Sequence, residues 1–219
     1  VDRIRAVNQI LGSEHFRELT RRAAPAARED DILRAHAPEH LRRVKAIAPA
    51  EGFEFLDADT AMSPGTLEAA LHEVGAATAG VDAVFSGEAD NVFCTLRPPG
   101  HHAESRRAMG FCFFNQAAIA AHYARAAHGA ERVAVIDFDV HHGNGTQEIF
   151  WSDPDLFYGS THQMPLYPGT GSVHETGAGN IFNAPLRAGD GSAQFRAAMA
   201  TRVLPALDAF APDLIVVSA

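Results

Sequence analysis

The sequence predicts an α/β fold of three layers, a largely parallel β-sheet between helices, and three observations carry that prediction. Val133-Ala134-Val135-Ile136 is apolar and mostly β-branched without polar alternation, as suits a strand covered on both faces. Further short runs that read as strands, Asn91 to Leu96, Leu156 to Ser160, Ile181 to Pro185 and Leu214 to Val217, alternate with stretches of helical character. At 219 residues, 47% hydrophobic and 21% charged, the chain is large enough for one domain with a substantial core, spanning residues 1–219.

The helices follow from local signals. To about Ala50 the chain is rich in Arg, Glu, Ala and Leu and reads as helices with polar interruptions. Asp30 or Asp31 is expected to cap a short helix through His36, and Pro38 to begin another whose Leu41, Val44 and Ile47 form one apolar face. Ser63 followed by Pro64 has the pattern of an N-cap and first helical residue. That helix buries Leu67, Leu71 and Val74 and is expected to end between Gly80 and Gly87. Asp57 and Asp59 just before it read as solvated loop carboxylates, with a place at a pocket rim as the alternative. An alanine-rich helix is expected from Gln116 to His128, stopped by Gly129, then a short one from Thr146 to Phe150 and a last one from Ser192 to Phe210.

A formal charge of −9 argues against a broad nucleic-acid-binding face, which needs clustered Lys and Arg, and is compatible with a cationic substrate. Two cysteines, Cys94 and Cys112, make no disulfide framework, and no apolar run approaches the length of a membrane span. The expected compartment is the cytoplasm. The chain starts at Val1 and not at Met, so any leader has been removed or lies outside this sequence.

Chemistry concentrates in three stretches. Val133 to Ile136 runs into Asp137-Phe138-Asp139-Val140-His141-His142-Gly143-Asn144-Gly145. In an extended chain Asp137, Asp139 and His141 emerge on one side and Phe138, Val140 and His142 on the other. Two carboxylates and an imidazole at the carboxyl end of a buried strand suit a divalent metal such as zinc. In Arg97-Pro98-Pro99-Gly100-His101-His102 the prolines and glycine fix a loop that presents two adjacent imidazoles, candidates for proton transfer. In Met109-Gly110-Phe111-Cys112-Phe113-Phe114-Asn115 most aromatics read as core, while Phe111, just after the glycine, reads as a pocket wall. The long Pro/Gly loop from Thr161 to Gly171 is of a kind that carries function inside compact domains.

Arg97 to His102, Gly110 to Asn115, Asp137 to Gln147 and Tyr167-Pro168-Gly169-Thr170-Gly171 together resemble the motifs of the zinc-dependent histone deacetylase family, which includes acetylpolyamine amidohydrolases. They occur in the family's order, and the similarity covers nearly the whole chain. Asn144 and the Arg-Pro-Pro-Gly lead-in look more like the class II branch and its bacterial relatives. The resemblance implies the arginase/deacetylase-like fold and hydrolysis of N-acyl amides of lysine side chains or polyamines. It makes Asp139 and His141 zinc ligands and His101 and His102 the general acid/base pair, with Asp137 paired to His101. Asn144 stands where class I members often have an aspartate, paired with the other histidine. Gly110 offers a backbone carbonyl near the substrate amide, and Phe111 and Tyr167 line the acyl-lysine tunnel. Asp137, through its backbone carbonyl, and Ser160 match positions that help hold a structural potassium ion.

The chain ends at Ala219, where the family continues into a Gly-Phe-Asp segment with the remaining zinc ligand and later a catalytic tyrosine. The expectation is therefore a fragment, truncated at both ends, that lacks the C-terminal part of the domain and has weak zinc affinity, an exposed sheet edge and little activity alone. Two alternatives accompany it. One is a non-catalytic acyl-lysine-binding pseudoenzyme; the other is an arginase-like metal hydrolase, disfavoured by the His101-His102 pair. The resemblance leaves open a protein or a polyamine substrate, and a monomer or a homo-oligomer.

Overall fold

A computed structural model describes residues 2–219 of the protein. Helix α1 (Asp2–Leu11) is followed by an irregular stretch, the single turn α2 (Glu29–Ile32) and α3 (Pro38–Ile47). Strands β1 (Glu54–Phe55) and β2 (Ala61–Met62) form a small antiparallel hairpin. Then come α4 (Thr66–Phe85), α5 (Gln116–His128), β3 (Val133–Asp137), α6 (Asn144–Phe150), β4 (Leu156–Gln163) and β5 (Ile181–Leu186). The chain closes with α7 (Ser192–Ala198), α8 (Leu204–Phe210) and β6 (Leu214–Ser218).

The main sheet has four parallel strands in the order β5-β4-β3-β6, so the mixed α/β, largely parallel fold expected from the sequence is present. Every residue of β3 is buried because helices cover both faces. Val133 and Val135 face a core with Val74 of α4, Ile119 and Ala121 of α5 and Phe150 of α6; Ala134 and Ile136 face Val203, Leu207 and Phe210 on the other side. The alanines of α5 allow its close approach to the sheet. After β3 the chain adds β4 and β5 on one side and then crosses to place β6 on the other. The carboxyl ends of β3 and its neighbours therefore meet at a topological switch, where open α/β sheets place their sites.

Several local expectations are corrected. Asn91 to Leu96 is not a strand; it is irregular, with Val92 and Phe93 exposed. Among the described residues no strand pairs with it, and strand preference is not realised without a hydrogen-bonding neighbour. Helix α4 starts at Thr66, after Gly65 at φ +84°, and not at Pro64; the Ser63 amide donates to the Thr66 hydroxyl. It continues through Gly80, whose missing side chain accommodates Val92, and stops at Phe85, within the expected range. Asp31 is buried inside α2 and caps nothing, since Arg28 holds the cap position. The last helix is interrupted by a π turn at Met199–Val203, just before Pro205, whose missing N–H breaks the regular ladder. Helix α6 begins at Asn144, two residues earlier than expected.

Candidate active site

The paired histidines are held from below by two helices. Asn115 caps α5 by accepting the Ala118 amide, and its own amide group donates to the Ala103 carbonyl and the Thr146 hydroxyl. At the start of α6 the Gly145 and Thr146 amides both donate to the His101 carbonyl. A Cβ on Gly145 would lie 2.2 Å from the Ala103 oxygen, so glycine is what lets helix and loop meet. The two imidazoles end with ring centroids 4.1 Å apart.

Their partners differ. His101 Nδ1 donates to Asp137 Oδ2 at 2.8 Å. Burial lowers the proton affinity of His101, but the charge of Asp137, its hydrogen bond and the charge of Asp139 outweigh that and raise its pKa. His102 Nδ1 lies 2.8 Å from Asn144 Oδ1. The Asn144 amide nitrogen donates to Glu104 Oε1 at 2.8 Å, which orients the side chain and leaves its oxygen facing His102. That oxygen only accepts, so Nδ1 carries the proton and Nε2 keeps its lone pair. Burial, and then the charge of His101, lower the His102 pKa to about 4.

Strand β3 ends at Asp137, and the next residues are bends, not further strand. The strand alternation expected over Asp137 to His142 is replaced by local turns. Asp137 Oδ1 accepts the Asp139 amide and Asp139 Oδ1 accepts the His141 amide, two successive Asx turns. Phe138 and Val140 are exposed, whereas His142 is buried between Thr170 and Gln147. Tyr158, which sequence reasoning passed over as an ordinary strand residue, donates to Asp137 Oδ2 and accepts the Gly143 amide.

Asp139 and His141, the two expected metal ligands, are neighbours in space. Asp139 Oδ1 and His141 Nδ1 lie 3.2 Å apart, and the Asp139 carboxylate, 3.8 Å from the Arg3 guanidinium, attracts positive charge. Catalytic zinc sites ordinarily keep three protein ligands, and among the described residues no group of three His, Cys, Asp or Glu is placed to hold a metal. The donors described here do not complete a zinc site. Asp137 and Ser160 sit opposite each other in register on β3 and β4, both fully buried. Their side-chain oxygens are already engaged, Asp137 by His101, Tyr158 and the Asp139 amide, and Ser160 by His162 Nδ1 at 2.9 Å.

Two loops pack against the histidine pair. Met109 to Cys112 form a tight turn closed by the Cys112 amide on the Met109 carbonyl, with φ +58° at Gly110 and +66° at Phe111. Positive φ at both central residues is the signature of a type I′ turn, and for a phenylalanine it costs about 1–2 kcal/mol. A Cβ on Gly110 would lie 2.4 Å from His102 Cδ2, so this turn presses directly on the catalytic candidate. The Gly110 carbonyl accepts from the buried Cys112 thiol, whose pKa burial pushes well above its ordinary value. The Tyr167 ring stands edge-on to His102 and His141, at centroid distances of 5.1 and 6.1 Å. Its pKa is raised to about 12 by burial and then by the charges of Asp59 and Asp57. These two aspartates therefore lie at the site's rim, the alternative given second place from the sequence; Asp59 Oδ1 accepts the Gly110 amide.

A histone deacetylase domain profile matches residues 1–219. The chain is 46% identical over 202 residues to a histone deacetylase-like amidohydrolase of Pseudomonas aeruginosa, covering 90% of this chain and 53% of that protein. It is 38% identical over 194 residues to a probable deacetylase of Archaeoglobus fulgidus, covering 87% of this chain and 53% of that one. The crystal structure of the HDA15 HD domain superposes with a TM-score of 0.94 at 36% identity, covering all of this chain and 66% of that one. The chain thus spans about half the length of these curated relatives. With motifs, fold and profile in agreement over its whole length, this chain belongs to the histone deacetylase family.

Proposed function

We propose that the protein hydrolyses N-acyl amides of lysine side chains or polyamines, a zinc-dependent amidohydrolase reaction. The observation that supports this best is the unequal pair of histidines beside Asp139 and His141. His102, neutral with Nε2 unprotonated, takes a proton from an attacking water, and His101, whose imidazolium Asp137 stabilises, gives one to the departing amine. Asp139 and His141 would hold the zinc together with a donor not supplied by the described residues, and zinc when bound supplies Lewis acidity. Phe111 and Tyr167 grip the methylenes of a long amine. A potassium ion near Asp137 and Ser160 belongs to the same reading, as a structural ion held chiefly by backbone carbonyls. The cytoplasm remains the proposed compartment.

The test uses the protein expressed from its complete reading frame, with acetyl-lysine peptides and acetylpolyamines as substrates and acetate release as the readout. His102→Ala is expected to lower kcat by about 10²–10⁴-fold. The 219 residues alone are expected to hold zinc weakly and to turn over slowly, as their two donors imply. Zinc at one equivalent and normal turnover from the 219 residues alone would count against that expectation. No turnover, with peptide binding that survives Asp139→Ala, would instead support a non-catalytic acyl-lysine binder.

A further inference from the structure

Phe111 stands in a backbone conformation that its side chain disfavours, and the structure contains a dedicated support for it. Asp57 Oδ1 accepts the amides of Asp59 and Thr60, folding residues 57–60 into a compact turn. Asp59 Oδ1 then accepts the Gly110 amide at 3.2 Å and the Thr60 hydroxyl proton at 2.8 Å. Thr60 Oγ1, fully buried, accepts the Phe111 amide at 3.1 Å. Both amides of the left-handed pair, Gly110 and Phe111, are thus received by side chains about fifty residues away in sequence. The Phe111 ring itself is 58% exposed and is not held in place by the core. Its direction depends on the backbone beneath it. Strained backbone persists where its surroundings over-determine it, and such positions cluster at binding sites.

We propose that Asp59 and Thr60 are positioning residues: they hold Gly110 and Phe111 in the left-handed turn that packs against His102 and so set the direction in which the exposed Phe111 ring is presented beside the site. The inference rests on the deacylase reading for its functional consequence but not for the clamp itself. Thr60→Val removes the hydroxyl with little change in shape, Thr60→Ser restores it, and Asp59→Ala removes an acceptor from an exposed side chain and so carries little risk to folding.

Two measurements on the protein from its complete reading frame separate the clamp from the reading. In amide hydrogen exchange, Gly110 and Phe111 are expected to lose protection about tenfold in Thr60→Val and in Asp59→Ala, and to regain it in Thr60→Ser. In steady-state turnover of an acetyl-lysine peptide, Thr60→Val and Asp59→Ala are expected to raise KM about five- to tenfold with kcat within about twofold, and Thr60→Ser to restore KM. In a Phe111→Gly background, where glycine accepts the conformation unaided and the ring is gone, Thr60→Val should add no further change in KM. Unchanged exchange in Asp59→Ala overturns the clamp. Changed exchange with an equal KM effect in both backgrounds overturns the positioning of Phe111. A wild-type protein without turnover overturns the deacylase reading and the channel role with it, while exchange still decides the clamp.

Discussion

At the scale of single residues, the feature that matters most is that His101 and His102, adjacent in sequence and in contact in space, are pushed apart in proton affinity by what each touches. Asp137 supplies a charge to one, and Asn144 only a neutral acceptor to the other. Replacing that amide by a carboxylate adds a negative charge 2.8 Å from His102 Nδ1 and stabilises the imidazolium. Asn144→Asp is therefore expected to raise the His102 pKa from about 4 by roughly one to three pH units, read from imidazole chemical shifts in a pH titration. A His102 value at or below that of the wild type would sink the idea. Both histidine pairings were legible in the sequence through family resemblance. The orientation of Asn144 was not, because it is set by Glu104, a residue with no motif of its own.

Secondary-structure elements show where local signals succeed and where they fail. Asn115 followed by an alanine-rich run and Gly129 marks α5 at both ends, because cap and stop are chemical properties of single residues. Asn91 to Leu96 and Leu214 to Val217 carry similar strand-forming residues, yet only the second finds a neighbour, β3, and becomes β6. The outer edge of β6 has no partner among the described residues, and Ile215 and Val217 there are 48% and 60% exposed. Such an edge is a template for self-association. Val217→Lys should lower the light scattering of the 219-residue chain at high concentration while changing its stability by less than about 0.5 kcal/mol. Equal scattering from both proteins would show that the edge is not what associates.

For the molecule as a whole, buried neutral histidines set the response to acid. Burial lowers the pKa of His36 to about 3 and, aided by nearby histidines, those of His102 and His142 to about 4; His40, His122 and His162 are also lowered by burial. His36 illustrates the cause: its Nδ1 donates to the Glu104 carbonyl while its Nε2 accepts the Asn115 amide, an arrangement only the neutral ring can make. Unfolded histidines take up protons below about pH 6.5 and these folded ones do not, so folding stability is greatest above that pH and is lost as pH falls toward the folded values. The Glu73 carboxyl, raised by burial, and His101, raised by the charge of Asp137, act in the opposite sense, the first above pH 4.5 and the second above pH 6.5, but two groups oppose six. The urea midpoint should therefore fall between pH 7.5 and pH 5.5. A higher midpoint at pH 5.5 would refute this account.

The layered fold, the parallel sheet and the identities of the polar residues at its carboxyl edge followed from the order of residues alone, because apolar runs, caps and turn residues act over a few positions at a time. The tertiary structure decided what those positions meet. It turned Asp57 and Asp59, read as solvated loop carboxylates, together with Thr60 into the support beneath Gly110 and Phe111, and ordinary-looking Tyr158 into a partner of Asp137. It also decided that Asp139 and His141 lie side by side through Asx turns and not through strand alternation. The first two outcomes depend on hydrogen bonds between segments far apart in the chain, whose pairing no local pattern encodes.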